Sequence, residues 1–264
     1  MKIIDMHCHI FPEKIAQKAA AAIGSFYSIT MAHDGTRERL ISSCKENGIV
    51  RALIHSVASN ASQVEKINDY IASSKEECPE LFTGFATMHP DYENIAAEIK
   101  RAREMGLKGI KIHPDMQHFA IDDRRAYPIY EEIAGKMPIQ VHTGDPRHNY
   151  SHPYMMAKVM KDFPSLAVIG AHFGGWSEWR EAKECYKGLD NLYIDTSSSL
   201  YQIPADEAAA LIRAYGVSRC FFGTDYPMWS AKEEIERFMS LPLTDGEREA
   251  VLYKNAEDFL NNLA

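Results

Sequence analysis

The amino-acid sequence predicts a (β/α)8 barrel, and two observations carry this prediction. Short apolar runs of β-strand character alternate with amphipathic helical stretches along the whole chain of 264 residues. Strict alternation of strands and helices implies a parallel sheet. Eight such units in a chain of this length suit one closed barrel domain covering residues 1–264. An open, doubly wound sheet is the alternative, but the Gly-x-Gly-x-x-Gly signature of many dinucleotide-binding folds is missing.

The predicted strands are short, and most of them are rich in β-branched or other apolar residues. In chain order they cover residues 3–7, 52–57, 83–87, 109–113, 139–142, 167–172, 192–195 and 220–224. Because all strands of a parallel barrel end on the same face, side chains at the ends of these runs are expected to converge in one ring.

Helix signals separate these strands. Residues 36–47 begin at a candidate N-cap, Thr36, and stop before Gly48. Residues 91–105 repeat the pattern with Asp91 as the expected cap. The last helix, residues 244–263, opens with Thr244 and Glu247 at capping-box spacing. Further helices are expected near residues 59–75, 128–136, 153–163, 177–187, 204–215 and 231–239.

The segment of residues 11–35 has helical character but contains no strand-like run. It is expected to form an extended loop after the first strand that partly covers the barrel mouth. Active sites of such barrels lie at this end, so the segment is expected to shape the site.

Composition excludes several classes of function. The formal net charge of -8 argues against a nucleic-acid partner, which requires a basic surface. The longest apolar runs are far shorter than a membrane span, and the N-terminus lacks a signal-peptide pattern. The five cysteines are odd in number and form no Cys-x-x-Cys motif, as expected of reduced thiols in a cytoplasmic protein. The oligomeric state stays open, with a homodimer as one candidate.

The most informative motif is the pair His7 and His9 at the end of the first run. Residues i and i+2 of a strand share a face and lie about 6.6 Å apart along it. Both imidazoles can therefore point into the barrel and bind one ion, whereas Cys8 points outward. Asp5 is expected on the same face as His7, where it either orients this ligand or bonds to the backbone.

Other candidate ligands end later runs. His113, His142 and His172 close three of them, and Asp225 follows the last. Neutral imidazoles and a carboxylate suit a divalent metal, with zinc as the expected ion and manganese or iron as alternatives. Hydrogen bonding inside the barrel mouth is the other explanation for His142 and His172.

Four motifs resemble the amidohydrolase superfamily, specifically the amidohydrolase-related group that includes aminocarboxymuconate-semialdehyde decarboxylase-like enzymes. They are DMHCH in the first strand, HTG after the fifth, AHFGG after the sixth and GTDYP after the eighth. Together they extend from Asp5 to Pro227, and their order matches the strand assignment.

The resemblance implies roles for single residues. His7, His9 and His142 would be metal ligands, and Asp225 would be a further ligand that shares in proton transfer. His172 would orient or deprotonate the metal-bound water. An unperturbed histidine pKa suits this role near neutral pH.

Lys111 and His113 share a face of the fourth strand. In two-metal members of the superfamily a carboxylated lysine here bridges the ions. In the decarboxylase-like group one metal is the rule, and a lysine or histidine of this strand can meet an anionic substrate. We expect one metal, with Lys111 and His113 as substrate-binding residues. The alternative is that Lys111 is buried deeper and paired with a carboxylate such as Asp5.

Two loop residues complete the predicted site. Arg147 follows the fifth strand and can clamp a substrate carboxylate with two hydrogen bonds, although a solvated loop charge is the commoner outcome. Trp176 follows the sixth strand and can line a pocket for an aromatic substrate, or simply pack the loop. His148 and His152 lie in the same loop as Arg147 and are weaker candidates, whereas His33, His55, His89 and His118 are interpreted as structural or surface residues.

These features predict a metal-dependent hydrolase that acts on a C–N or C–O bond of a small, carboxylated molecule through a metal-activated water. The alternative is a metal-dependent, non-oxidative decarboxylase of an aromatic or unsaturated acid. A non-catalytic metal-binding or ligand-binding barrel is a third reading. It is disfavoured because His172 adds a proton-transfer group that metal ligation alone does not require.

Overall fold

In the computed structural model, which describes residues 2–263, the strands are parallel and follow the predicted order. Their bounds are β1 Ile3–His9, β2 Ile49–His55, β3 Phe82–Gly84, β4 Ala86–Thr87, β5 Ile110–Ile112, β6 Ile139–Val141, β7 Val168–Gly170, β8 Leu192–Asp195 and β9 Cys220–Phe221. They pair in the order β1-β2-β3 and β4-β5-β6-β7-β8-β9. The predicted parallel α/β fold of TIM-barrel type is therefore confirmed.

Backbone hydrogen bonds join the two groups of strands. Only Phe85 separates β3 from β4, and its N–H donates to the carbonyl of Ile54 at 2.9 Å. The next N–H, of Ala86, donates to the carbonyl of Gly109 at 2.8 Å, so β3 and β4 together act as one barrel strand. On the other side, the N–H of Met6 donates to the carbonyl of Phe222 at 2.9 Å. The first and last strands are thus directly linked.

Along the chain, helices connect the successive strands. Their bounds are α1 Glu13–Tyr27, α2 Arg37–Asn47, α3 Val64–Glu77, α4 Ile95–Glu104, α5 Pro114–Gln117, α6 Tyr127–Ile133, α7 Pro153–Asp162, α8 Trp179–Cys185, α9 Ala205–Tyr215, α10 Ala231–Met239, α11 Asp245–Glu249 and α12 Asn255–Asn261. A π-helical segment, Ala250–Lys254, joins α11 to α12. The predicted final helix is therefore present but contains a wider turn that the sequence pattern did not indicate.

The capping predictions are confirmed at two helices and wrong at a third. Thr36 accepts a hydrogen bond from the N–H of Arg39, and Thr244 forms the expected capping box at α11. At α4 the cap is Asn94 instead of Asp91. Asp91 accepts a hydrogen bond from Arg125 at 2.7 Å, so its carboxylate serves a neighbouring loop and the helix begins later.

An irregular register in β1 determines which side chains enter the barrel. The pairing of β1 with β2 shifts between Asp5 and Cys8. Met6 joins the smaller core cluster together with residues of β2, β7 and β9, whereas Cys8 belongs to the main core with Cys44 of α2. The predicted outward position of Cys8 is therefore observed. The predicted shared face of Asp5 and His7 is wrong, because the bulge interrupts the alternation between them.

Two further features concern membrane segments and cysteines. Among the described residues, no helix has both the length and the apolar character that a bilayer span requires. All five cysteines lie in the described part of the chain, and each of them is free.

Candidate active site

The site lies in a cavity of about 860 Å³ at the carboxyl ends of the strands. All site residues predicted from the sequence line it, except Arg147; they are His7, His9, Lys111, His113, His142, His172, Trp176 and Asp225. Cavities of drug-sized ligands span about 300–1,000 Å³, so the volume suits a small-molecule substrate. Convergence of residues from distant strands is what a barrel predicts.

Three buried atoms that could ligate a metal lie close together in the cavity. His7 Nε2 lies 3.2 Å from His9 Nε2 and 3.3 Å from Asp225 Oδ1. His9 Nε2 lies 3.5 Å from the same carboxylate oxygen. A tetrahedral site with ligand distances of about 2.1 Å has edges of about 3.4 Å, so these three atoms form a suitable face for a divalent metal.

A buried carboxylate orients the first of these ligands. Asp195 Oδ2 lies 3.0 Å from His7 Nδ1 and accepts a hydrogen bond from Gln140 Nε2 at 2.8 Å. Its other oxygen accepts hydrogen bonds from the hydroxyl and the backbone N–H of Ser197. When the N–H at Nδ1 of His7 donates a hydrogen bond to Asp195, the lone pair of His7 Nε2 remains free for a cation, as in carboxylate–histidine–metal arrangements.

The protonation states also favour a cation at this point. Burial lowers the pKa of His7 and His9 well below the usual histidine value, and the charge of Lys111 adds to the effect. Both rings are therefore neutral at pH 7 and present lone pairs. Burial raises the pKa of Asp225, while a 2.5 Å hydrogen bond from Ser198, and His172 whenever its ring is protonated, act in the opposite direction. Three acceptors that face each other fit a metal ion.

His172 and His142 form a hydrogen-bonded pair beside this cluster. His172 Nε2 lies 3.0 Å from His142 Nδ1, and His172 Nδ1 lies 3.1 Å from the carbonyl oxygen of Ser197. A carbonyl only accepts, so Nδ1 of His172 carries the proton and its Nε2 is the acceptor for His142. Burial lowers the pKa of His172, which leaves it neutral and able to take up a proton.

The predicted ligand set is not assembled as one group. Three groups have ligand atoms that all lie within 4.8 Å of one another: His7 with His9 and His55, His7 with His172 and Asp225, and His142 with His113 and Asp115. The ring of His142 stacks on that of His113 with centroids 3.9 Å apart. His142 is therefore grouped with His113 and Asp115, beside the His7 cluster, and its role as a ligand stays a prediction.

Left-handed backbone at three cavity residues accompanies this arrangement. His172, Ser198 and Asp225 have φ angles of 59°, 47° and 58°, a region that residues with a side chain seldom adopt. Such conformations cost about 1–3 kcal/mol each and persist where the surrounding structure enforces them, commonly at active sites.

Lys111 lies within the cluster. It is fully buried, and its Nζ is 3.2 Å from His7 Nε2. Burial lowers the pKa of Lys111 to about 8, although the carboxylates of Asp195 and Asp225 counteract the effect. The alternative pairing with Asp5 is not observed, because both Asp5 oxygens accept hydrogen bonds from Thr224. Lys111 thus brings a buried positive charge to the cavity.

Tyr27 is a site residue that the sequence analysis missed. It ends α1, and its hydroxyl lies 2.7 Å from His113 Nε2 and 3.4 Å from His142 Nε2. The segment of residues 11–35 was expected to cover the barrel mouth, and α1 contributes residues to the cavity wall. No local pattern marked Tyr27, since its role depends on where the helix ends above the barrel.

Arg147 does not occupy the predicted place. Its guanidinium forms hydrogen bonds to both oxygens of Asp145, at 2.9 and 2.7 Å, and to the carbonyl of Phe26 at 2.8 Å. It also lies over the rings of Tyr27 and Trp176, with its carbon 5.0 and 5.4 Å from their centroids. Asp145, only two residues away, takes the bidentate contact expected for a substrate. Arg147 instead fastens the end of α1.

Asp195 and His55 complete the site and were given no role by the sequence analysis. His55 is fully buried, and its ring centroid lies 4.4 Å from that of His9 and 5.0 Å from that of His7. A surface position for His55 is therefore wrong. In the structure Asp195 ends β8 and His55 ends β2. The predicted eighth strand also ended at Asp195, so the signal that identified the other site residues applied to it, whereas the predicted second strand continued to residue 57.

Comparison with protein families agrees with this geometry. Residues 4–261 match the family described as amidohydrolase. A decarboxylase of Emericella nidulans is 27% identical over 250 aligned positions, which cover 73% of this chain and 74% of that protein.

Solved structures show the same fold. An uncharacterized TIM-barrel protein of Bordetella bronchiseptica has a TM-score of 0.80 at 23% identity and covers 99% of both chains. A dihydroxybenzoic acid decarboxylase of Polaromonas, crystallised with manganese and the inhibitor 2-nitroresorcinol, has a TM-score of 0.76 at 17% identity. The match covers 100% of this chain and 98% of that one.

Proposed function

Because this chain belongs to the amidohydrolase family and is an enzyme of the hydrolase or carboxy-lyase type, we propose that it is a metal-dependent, non-oxidative decarboxylase of a hydroxylated aromatic acid. The sequence motifs alone favoured hydrolysis. The relatives favour the alternative, since the Emericella nidulans protein and the Polaromonas protein are both decarboxylases. The observation that carries the proposal is the buried cluster of His7, His9 and Asp225 next to the buried cation Lys111.

His7, His9 and Asp225 would hold one divalent metal, and His142, which lies beside this cluster in contact with His172, would be the fourth ligand. Manganese, one of the alternatives to zinc that the sequence predicts, is present in a similar decarboxylase, which supports it as a candidate ion for this chain. When bound, the ion supplies positive charge that orients and polarises oxygen atoms of the substrate. The donor set of neutral imidazoles and one carboxylate is compatible with both ions.

The substrate carboxylate would be bound by Lys111, whose ammonium group lies inside an otherwise largely apolar cavity. His113 and Trp176 line the same space and would contact the aromatic ring. Charge-assisted hydrogen bonds are stronger where water is excluded. The ammonium group of Lys111 alone can therefore bind the substrate carboxylate firmly.

His172 would move the proton, and Asp225 would share in this transfer. In the reaction the ring carbon that bears the carboxylate gains a proton, and the bond between that carbon and the carboxyl carbon breaks. Its electron pair restores the aromatic ring, and carbon dioxide leaves. His172 suits this step because Nδ1 is held by the Ser197 carbonyl, so that Nε2 is the atom that would take up a proton from solvent or from a substrate hydroxyl and pass it to the ring carbon.

A substrate panel tests the proposal. Purified protein loaded with manganese or zinc is incubated with hydroxylated benzoates and, in parallel, with aryl amides and lactones. We expect release of carbon dioxide and the decarboxylated phenol from at least one benzoate, loss of this activity with a chelator, and a decrease of at least about 100-fold in His172→Asn. Turnover of an amide or lactone without any decarboxylation would establish the hydrolase instead.

A further inference from the structure

We propose that the cavity has a second, apolar part beneath α1 that binds a linear apolar substituent of the substrate. The substrate is then an amphiphilic aromatic acid, with its carboxylate at the metal-binding cluster and an alkyl-like tail under the helix. This inference rests on the proposed decarboxylase function and specifies its substrate class.

The volume of the cavity is the first argument. At about 860 Å³ it lies near the upper end of the range of about 300–1,000 Å³ that drug-sized ligands occupy. A benzoate with two hydroxyl groups is much smaller than such ligands. Ligand pockets usually bury most of the ligand surface, so a substrate that fits this cavity must extend beyond one ring.

The wall formed by α1 shows where the extension lies. Ile15, Ala19, Ala22 and Ile23 line the cavity at helical spacing, and from Ile15 to Ile23 the helix rises by about 12 Å. The residues that α1 buries are only Ala16, Ala20 and Gly24. The helix therefore packs through small residues and turns its larger apolar side chains to the cavity, where Ile15 is 52% exposed. Apolar surface left uncovered in this way favours an apolar occupant.

Other elements add apolar side chains to the same cavity. Val57 follows β2, Ile67 belongs to α3, and Met31 and Met228 lie in loops; all four line the cavity. Methionine side chains adapt to ligands of different shape. The cavity that contains the metal-binding cluster is therefore lined by apolar side chains from several elements besides α1.

Positive charge is found where the cavity meets solvent. Lys14, Lys18 and Lys66 line the cavity and are exposed, and within residues 2–263 none of the three forms a salt bridge. Asp225 is the only carboxylate among the described residues that line the cavity. The three lysines therefore give the exposed part of the cavity a local positive potential that attracts an acid.

Binding measurements test the channel without requiring turnover. The probes are resorcinol and its 4-hexyl derivative, titrated calorimetrically into manganese-loaded protein. Each buried methylene contributes about 0.8 kcal/mol, or roughly a fourfold change in Kd, so the hexyl group should tighten binding by at least about 100-fold.

Three variants locate the effect. Ala19→Trp and Ala22→Trp place a large ring in the channel, and Ala21→Trp is the matched control on the exposed side of the same helix, outside this cavity. We expect at least one of the first two to remove the gain from the hexyl group while the Kd of resorcinol stays unchanged. The control variant should keep the gain.

The outcomes separate the two proposals. If the hexyl compound binds no more tightly than resorcinol, or if all three variants behave alike, the channel proposal is wrong. Decarboxylation of a short dihydroxybenzoate with no benefit from a tail would overturn the channel but leave the proposed function intact. A large gain from the tail, with no decarboxylation of either a short or an alkylated acid, would support the channel and contradict the decarboxylase.

Discussion

Asp195 offers a sharp test of how the metal-binding cluster is organised. The carboxylate lies 3.0 Å from His7 Nδ1 and is fully buried on β8. It accepts further hydrogen bonds from Gln140 Nε2 at 2.8 Å and from the backbone N–H of His172 at 3.2 Å. The substitution Asp195→Asn keeps the shape of the side chain but replaces one accepting oxygen with a donating amide.

The expected magnitude follows from these contacts. An amide placed against Gln140 and His7 faces two donors, so either a hydrogen bond is lost or His7 changes its tautomer. A changed tautomer would put the proton on His7 Nε2, the atom that faces His9 and Asp225. Loss of such carboxylate partners lowers metal affinity by about 10–100-fold, which corresponds to about 1.4–2.7 kcal/mol.

The assay is a competition between the protein and a chromophoric chelator for manganese or zinc. Asp190→Asn is the matched control, because Asp190 precedes the same strand and is fully exposed. We expect the control to bind metal like the wild type and Asp195→Asn to bind at least about 10-fold more weakly. Equal affinity in all three proteins would refute the proposed role of Asp195.

Three other predictions follow from the same structure. His7→Ala and His9→Ala should each remove most of about one bound metal equivalent per chain, whereas Cys8→Ala should not, as metal analysis would show; equal loss at Cys8 would contradict the strand assignment. Arg147→Ala should lower the melting temperature and leave KM nearly unchanged, because the guanidinium forms hydrogen bonds to Asp145 and to the end of α1. A higher KM with an unchanged melting temperature would show that Arg147 binds the substrate. Burial raises the pKa of Glu234 from 4.5 to about 7, so its protonated form is favoured on folding and its contribution to stability is lost as the pH rises from 4.5 through 7. The change in unfolding free energy that Glu234→Gln causes should therefore be more favourable at pH 8 than at pH 5, by up to about 3 kcal/mol. If denaturation curves show the same difference between variant and wild type at both pH values, this prediction is wrong.

The barrel and much of the candidate site were predictable from the sequence for a physical reason. Strand periodicity and chain order are local properties, and parallel strands that share one direction bring their ends together whatever the intervening helices do. The positions of His7, His9 and Asp225 in one cluster follow from this rule alone.

What the sequence did not predict depends on contacts between distant segments. The bulge in β1 separates Asp5 from the face of His7, and periodicity cannot show such a shift. Asp195 of β8 acts through His7 of β1 and Gln140 of β6, strands that do not pair with β8, so its importance appears only when these side chains meet inside the barrel. Arg147 could pair with a substrate carboxylate or with Asp145, and a sequence pattern does not show which of the two it binds; in the structure it binds Asp145.

The central claim is that the chain removes carbon dioxide from an aromatic acid and supplies the replacing proton. Manganese-loaded protein, incubated in D2O with a dihydroxybenzoate labelled with ¹³C in its carboxyl group, tests this by mass spectrometry. We expect labelled carbon dioxide and the dihydroxybenzene in equal amounts, with one deuterium at the former carboxyl position. If the protein holds its metal and leaves every such acid intact while it hydrolyses an amide or lactone, the chain is not a decarboxylase.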